Sequence, residues 1–180
     1  MKGIIFSVLS KFIEEKKGLE VLDEVLEKTN LESGGVYTSL KTYPDAEFIT
    51  ILKTFSEISN LKHDEILFEL GKYMLIEMSK TYPTFFEVKS LKEFLLSIHD
   101  VIHVEVRKLF PDALTPQFSF ENNNSNELTM IYKSTRQLCR LAEGLIHGAS
   151  EYYKTPIEVS QSQCYLRGDP NCRIEIKFLS

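Results

Sequence analysis

The sequence predicts an α+β fold: a helical N-terminal subdomain packed on an α/β C-terminal subdomain with an antiparallel sheet. Three observations carry this. Up to residue 110, apolar side chains recur at three- and four-residue spacing, the period of amphipathic helices. After Pro111, four short segments at about 117–121, 127–133, 156–163 and 172–178 alternate apolar and polar residues, the period of strands. Between the second and third of these, about 136–153 returns to helical spacing.

Residues 3–16 and 18–29 read as two helices punctuated by Gly18, and Ser33-Gly34-Gly35 breaks the pattern as a loop. Asp45 is placed to cap a helix running to about Ser59, with Phe48, Ile51, Leu52 and Phe55 on one face. A further helix begins at His63-Asp64-Glu65, reaches Lys80 and is ended by Tyr82-Pro83. Ser90-Leu91-Lys92-Glu93 has capping-box spacing and opens a long helix to about Phe110, stopped by Pro111. The polar run from Glu121 to Asn126 joins the first two strands as a hairpin. In the last strand Cys172, Ile174, Ile176 and Phe178 alternate with Arg173, Glu175 and Lys177, and Gly168-Asp169-Pro170-Asn171 precedes it. Without a linker or an internal repeat, the 180 residues read as one domain, helical over about 1–60 and α/β over about 61–180.

With 43% hydrophobic and 26% charged residues, the composition is that of a globular protein. A net charge of −5 and the lack of a Lys/Arg-rich run argue against nucleic acid. No apolar run approaches the roughly 18 residues a membrane span needs, so no membrane insertion is expected. The apolar stretch after Lys2 is interrupted by Ser7, Ser10 and Lys11, and no small-residue cleavage site follows, which implies a cytoplasmic chain. Three cysteines cannot form a full disulfide framework, and that compartment keeps them reduced.

Three constellations carry chemistry. On a strand, Tyr132, Ser134 and Arg136 would share one face: two hydroxyls and a guanidinium without an acidic partner. That set suits an anion with several oxygens; the alternative is a solvated strand face. His103 lies about 100° from the centre of its helix's apolar stripe of Leu91, Leu95, Ile98, Ile102 and Leu109, on the edge beside Val106 and Phe110. It is either an axial ligand for heme iron or an interfacial histidine bonded to a carbonyl. His99, one turn back, gives the pair a helical metal-site spacing that no nearby carboxylate or cysteine completes. Cys139, Cys164 and Cys172 are either zinc thiolates or buried thiols acting as small apolar residues. No phosphate-cradling glycine loop, nucleophile elbow or helical metalloprotease pair marks an enzyme.

Taken in chain order, Met1-Lys2-Gly3-Ile4-Ile5, the segment from Ile98 to Val106, Pro116, Tyr132-x-Ser134-x-Arg136 and Glu143-Gly144-Leu145-Ile146-x-Gly148 resemble the H-NOX (heme nitric oxide/oxygen binding) family. That family includes the sensor domain of soluble guanylate cyclase and stand-alone bacterial proteins. The resemblance implies a b-type heme between the two subdomains, with His103 as the iron's protein ligand. It implies that Tyr132, Ser134 and Arg136 hold the heme propionates, that Pro116 distorts the porphyrin, and that Ile5 and Leu145 pack on it. Oxygen-binding members carry a distal tyrosine where this chain has Leu141, and Leu9 and Met74 replace supporting polar residues. Without that donor, bound dioxygen loses a hydrogen bond, so the resemblance implies a nitric oxide sensor that also takes CO and is not an enzyme. The resemblance implies that the output lies on another protein, with a histidine kinase or a cyclic-di-GMP-metabolising enzyme as the expected partner.

The cysteines resemble those of a subgroup that binds zinc through three cysteines and a histidine, with Gln161 at the histidine's position. Cys164-x3-Gly168-x3-Cys172 also resembles small-ligand regulatory domains of the vinyl-reductase type. The second reading is therefore a heme-independent zinc/thiol redox or small-ligand regulatory module.

Overall fold

The computed structural model describes residues 1–179, and for Asn122 and Asn123 the backbone alone. The chain forms two compact units, Met1–Leu70 and Gly71–Ser180. No helix among the described residues is long and apolar enough to cross a membrane.

In the first unit, α1 (Gly3–Lys17), α2 (Leu19–Lys28) and α3 (Asp45–Ser59) follow the predicted helices closely. α1 stops where Gly18 takes φ 93°, its N–H closing on the Glu14 carbonyl at 2.7 Å. Phe6 meets Phe48 edge-on and Phe12 meets Phe55, so the predicted apolar face of α3 is a core face. Asp45 does not cap α3. The cap position falls on Pro44, and the Asp45 carboxylate instead pairs with the Met1 ammonium at 2.8 Å. The segment before α3 is held by Glu47, whose buried carboxylate accepts from Ser33 N (3.1 Å), Ser33 Oγ (2.6 Å) and Tyr37 Oη (2.7 Å). Tyr37 in turn stacks on Phe6 at 4.2 Å.

α4 (His63–Thr81) crosses the division between the units. The second unit then contains a 3-10 turn (Pro83–Phe86), α5 (Leu91–Ser97), a π-helical segment (Ile98–Ile102) and α6 (His103–Leu109). It continues with β1 (Gln117–Asn124), β2 (Glu127–Lys133), α7 (Cys139–Tyr152), β3 (Ile157–Gln163) and β4 (Cys172–Phe178). The strands form one antiparallel sheet in the order β1-β2-β4-β3. Its inner face and α7 enclose a core that includes Phe94, Leu95, Met130, Tyr132, Ile146 and Ile174. α4 and α7 touch backbone to backbone: a Cβ on Gly71 would lie 2.4 Å from the Leu141 carbonyl oxygen.

Two local predictions are revised. The expected turn at 121–126 is shorter, because β1 extends to Asn124 and pairs with Glu127 past a register shift. The expected continuous helix over 90–110 starts as predicted, with Ser90 Oγ accepting from Glu93 N at 3.2 Å. It is then broken at Ile98–Ile102, where the His103 N–H reaches back five residues to the Ile98 carbonyl. Such π-turns carry one extra residue in a turn and occur frequently at functional sites. α5 buries Leu91, Phe94 and Leu95, whereas the π-segment and α6 bury none.

Candidate functional site

His103 is the first residue of α6, set by the π-turn just before it. Its Nδ1 is buried and has no hydrogen-bond partner. Burial pushes its pKa down to about 4, assisted by the positive charge of Arg107. The Pro116 carbonyl favours the protonated ring but does not offset this, and it gives Nδ1 no hydrogen bond. At neutral pH the imidazole is therefore uncharged, the form that ligates a metal.

The His103 ring lies against Phe118, with centroids 5.6 Å apart and planes at 31°. Phe118 lies against Tyr132 at 5.5 Å, its partner across the β1–β2 pairing. Sequence reasoning did not single out Phe118, because Phe118 and Phe120 read as an ordinary apolar strand face. Nor did it foresee that the Phe118 N–H donates to His99 Nδ1 at 3.3 Å. That bond occupies one of the two ring nitrogens of His99.

Tyr132, Ser134 and Arg136 are brought together, though not by a strand face. β2 ends at Lys133, and the next residues turn into α7 through Gln137 at φ 55°. Within that turn Ser134 Oγ accepts from the Arg136 N–H at 3.2 Å. Burial raises the Tyr132 pKa, opposed by hydrogen bonds to the Ser134 side chain and the Leu138 backbone. The Arg136 guanidinium donates to the Leu114 carbonyl at 2.5 Å, and Arg107 donates to Thr115 Oγ1 at 2.8 Å. The segment that carries half-buried Pro116 is thus gripped from two sides. Two hydroxyls and a guanidinium from the end of β2 and the turn after it, one aromatic ring away from a neutral imidazole, can hold a multi-oxygen anion next to a metal ligand.

Of the predicted apolar pocket residues in this unit, Met74 on α4 and Leu141 on α7 are buried, and Leu145 is half-buried. In the first unit, both Leu9, which is buried, and Ile5, which is half-buried, sit on α1.

Cys139, Cys164 and Cys172 converge from the start of α7, the end of β3 and the start of β4. All three are buried, and their sulfurs lie within 4.8 Å of one another. Cys164 Sγ is 3.7 Å from Cys139 Sγ and 3.9 Å from Cys172 Sγ. A disulfide would need about 2.05 Å, whereas a tetrahedral zinc with bonds of about 2.3 Å holds its sulfurs about 3.8 Å apart. Burial pushes the Cys139 thiol up to about 12, and the neighbouring sulfurs add to this. The Cys172 sulfur accepts from Tyr165 N at 3.3 Å, and Asp169 takes the Cys164 N–H at 2.8 Å. Gln161, on β3, pairs with Ile174 of β4, and no fourth cysteine, histidine or carboxylate joins the three thiols among the described residues.

A family model described as Haem-NO-binding matches residues 2–161 of the chain. The Fe(II) unliganded H-NOX protein from K. algicida is 34% identical at a TM-score of 0.92, over 100% of this chain and 97% of that one. The H-NOX protein from S. oneidensis in the Fe(II)NO ligation state is 29% identical at a TM-score of 0.94, over the whole of both chains. An H-NOX domain from Shewanella oneidensis in the Fe(II)CO state gives 29% identity and a TM-score of 0.92, over 100% of this chain and 99% of that one. No curated protein sequence matches significantly.

Proposed function

Because the chain belongs to the Haem-NO-binding family and shares the H-NOX fold, we propose that it is a nitric oxide sensor carrying one b-type heme on His103. The observation that carries this reading is the pairing of a neutral, half-buried imidazole with the Tyr132–Ser134–Arg136 set across Phe118. When bound, heme supplies a ferrous iron that coordinates diatomic gases. His103 supplies the protein ligand. Tyr132, Ser134 and Arg136 supply hydroxyl and guanidinium donors to the propionates.

Selectivity follows from what the apolar positions lack. Met74 and Leu141 carry no hydroxyl or amide to stabilise bound dioxygen, whereas nitric oxide and CO need no such donor. The same ligand states, Fe(II)NO and Fe(II)CO, occur in the solved Shewanella relatives. The signal is release of His103. α6 buries no residue, so little core packing resists its displacement once the histidine lets go. The recipient is a separate cytoplasmic protein, a histidine kinase or a cyclic-di-GMP-metabolising enzyme.

The cysteine cluster supports a second site in the same chain. Its sulfur spacing suits a structural zinc held by three thiolates, with water or another side chain at the position where Gln161 stands in place of the subgroup's histidine.

The test is the anaerobic absorption spectrum of the purified ferrous protein, before and after nitric oxide and then in air. A Soret band that moves to a five-coordinate nitrosyl position, with no stable oxy form in air, is the expected result. A stable oxy form would overturn the selectivity. Failure to take up heme would overturn the sensor and leave the thiol cluster as the working site.

A further inference from the structure

The usual partner of a metal-bound histidine is an acceptor on its second nitrogen, which fixes the ring and raises its basicity. In this chain that device is weak: the Pro116 carbonyl beside the His103 ring favours its protonated form but gives Nδ1 no well-formed hydrogen bond. A second contact that bears on the orientation of the imidazole is the flank of Phe118.

Phe118 is itself fixed in two ways. Its ring packs between His103, Tyr132 and Phe120. Its backbone belongs to β1, an edge strand of the sheet. An edge strand leaves alternate N–H groups without a ladder partner, and the N–H of Phe118 goes to His99 Nδ1 at 3.3 Å.

His99 is well placed to act as a fixed point. It stands in the π-turn directly after α5, whose Leu91, Phe94 and Leu95 are buried in the core. α5 is also clasped to the β1–β2 turn by Lys92, whose ammonium donates to the carbonyls of Asn124 and Glu127. Beyond the π-turn, α6 has no buried residue to hold His103 in place. The chain of contact therefore runs from the anchored helix through His99 to the Phe118 backbone, and from the Phe118 ring to the imidazole.

We infer that His99 is a positioning residue: by holding the Phe118 N–H it sets the orientation of the His103 imidazole, and with it the ease of His103 release. This rests on His103 being the heme ligand. Loss of the His99 acceptor lets Phe118 shift, and the imidazole that rests on its ring shifts with it. The Asn side chain presents a carbonyl oxygen near the position of Nδ1, so His99→Asn retains the acceptor and His99→Ala removes it.

The experiment uses the full chain, unmodified and as His99→Ala, His99→Asn and Phe118→Leu. Three readouts are taken: the iron–histidine stretching band of the ferrous protein by resonance Raman, the five- to six-coordinate nitrosyl ratio, and exchange of the Phe118 amide by NMR. His99→Ala is expected to speed Phe118 amide exchange about fivefold or more, the weight of one hydrogen bond, and to shift the stretching band and the nitrosyl ratio. His99→Asn restores all three. Phe118→Leu keeps the backbone bond and shifts the band and the ratio, which tests the relay even where His99→Ala does not fold. A faster Phe118 amide with band and ratio unchanged would overturn the inference and reduce His99 to a tie between helix and strand. An unchanged band in Phe118→Leu would overturn it equally. A missing Soret band in the unmodified protein would remove the heme reading itself, a result distinct from either of these.

Discussion

The His103 imidazole and the Phe118 ring lie 5.6 Å apart between centroids, with their planes inclined by 31°. Phe118→Ala removes this support and opens space beside buried Tyr132. Because Phe118 is only half-buried, the expected loss is about 2 kcal/mol, below that of a fully buried phenylalanine. Chemical denaturation read by circular dichroism checks the stability, and transfer of heme to an acceptor apoprotein, expected to be faster, checks the site.

Arg136→Ala removes the guanidinium of the Tyr132–Ser134–Arg136 set and frees the Leu114 carbonyl it holds. A charge-assisted hydrogen bond contributes about 1.5–3 kcal/mol, so heme loss should accelerate by about one to two orders of magnitude. Arg136→Lys keeps the charge without the two-pronged geometry and should recover only part of the difference. An unchanged rate of heme loss in Arg136→Ala would dissociate this turn from the propionates.

The zinc reading makes a pH-dependent prediction. Burial and neighbouring sulfurs hold the Cys139 thiol up at about 12 and raise that of Cys172, so the metal must displace protons in order to bind. Zinc retention should therefore weaken as the pH falls. Protein purified under reducing conditions should release one zinc per chain in a colorimetric assay, and Cys172→Ser should release much less. Equal zinc content in Cys172→Ser would exclude the cluster as its site.

Gly71→Ala tests the contact between α4 and α7. The added Cβ would meet the Leu141 carbonyl oxygen at 2.4 Å and the Leu145 amide nitrogen at 2.7 Å, both backbone atoms that cannot rotate away. Separating the helices should cost about 1–3 kcal/mol, a fall of several degrees in melting temperature for a chain of this size. Gly18→Ala fills open space, so its cost is limited to the strain of φ 93°.

Glu47 governs the acid limb of stability. Burial raises its pKa, but hydrogen bonds from Ser33 and Tyr37 outweigh that and leave it below the ordinary carboxylate value. A depressed folded-state pKa contributes stability that is complete above the unfolded value and is lost as pH falls through the folded one. Glu47→Ala should therefore destabilise the protein at neutral pH by about 1–3 kcal/mol, because the Ser33 and Tyr37 donors lose their acceptor. It should also flatten the acid side of a stability-against-pH curve.

The helices and strands were legible in the sequence because their apolar periods are strong. The site was legible only in its residue types. Tyr132, Ser134 and Arg136 announced an oxygen-rich anion, but the shared-face argument assumed a strand that stops at Lys133. The left-handed Gln137 then redirects the chain, and a glutamine gives no warning of that. The cysteines could be counted, but their convergence to within 4.8 Å depends on strand order and register. Leu109 seemed to continue the apolar stripe of Leu91 and Leu95, yet it is 66% exposed. The stripe was projected through a uniform α-helix, whereas the π-turn changes the angular frame between α5 and α6. Nothing in the composition of Ile98–Ile102 distinguishes it from ordinary helix.

That π-turn also has a genealogical consequence. A five-residue backward reach inside a helix is what a one-residue insertion leaves behind when the flanking turns keep their places. A homologue without it would need a single gap between its counterparts of Leu95 and His103. An ungapped alignment of this helix would still pair the histidines that follow the turn while putting His99 one column out of step. The residue would then look freely variable across the family, and the histories of His99 and Phe118 would be read separately.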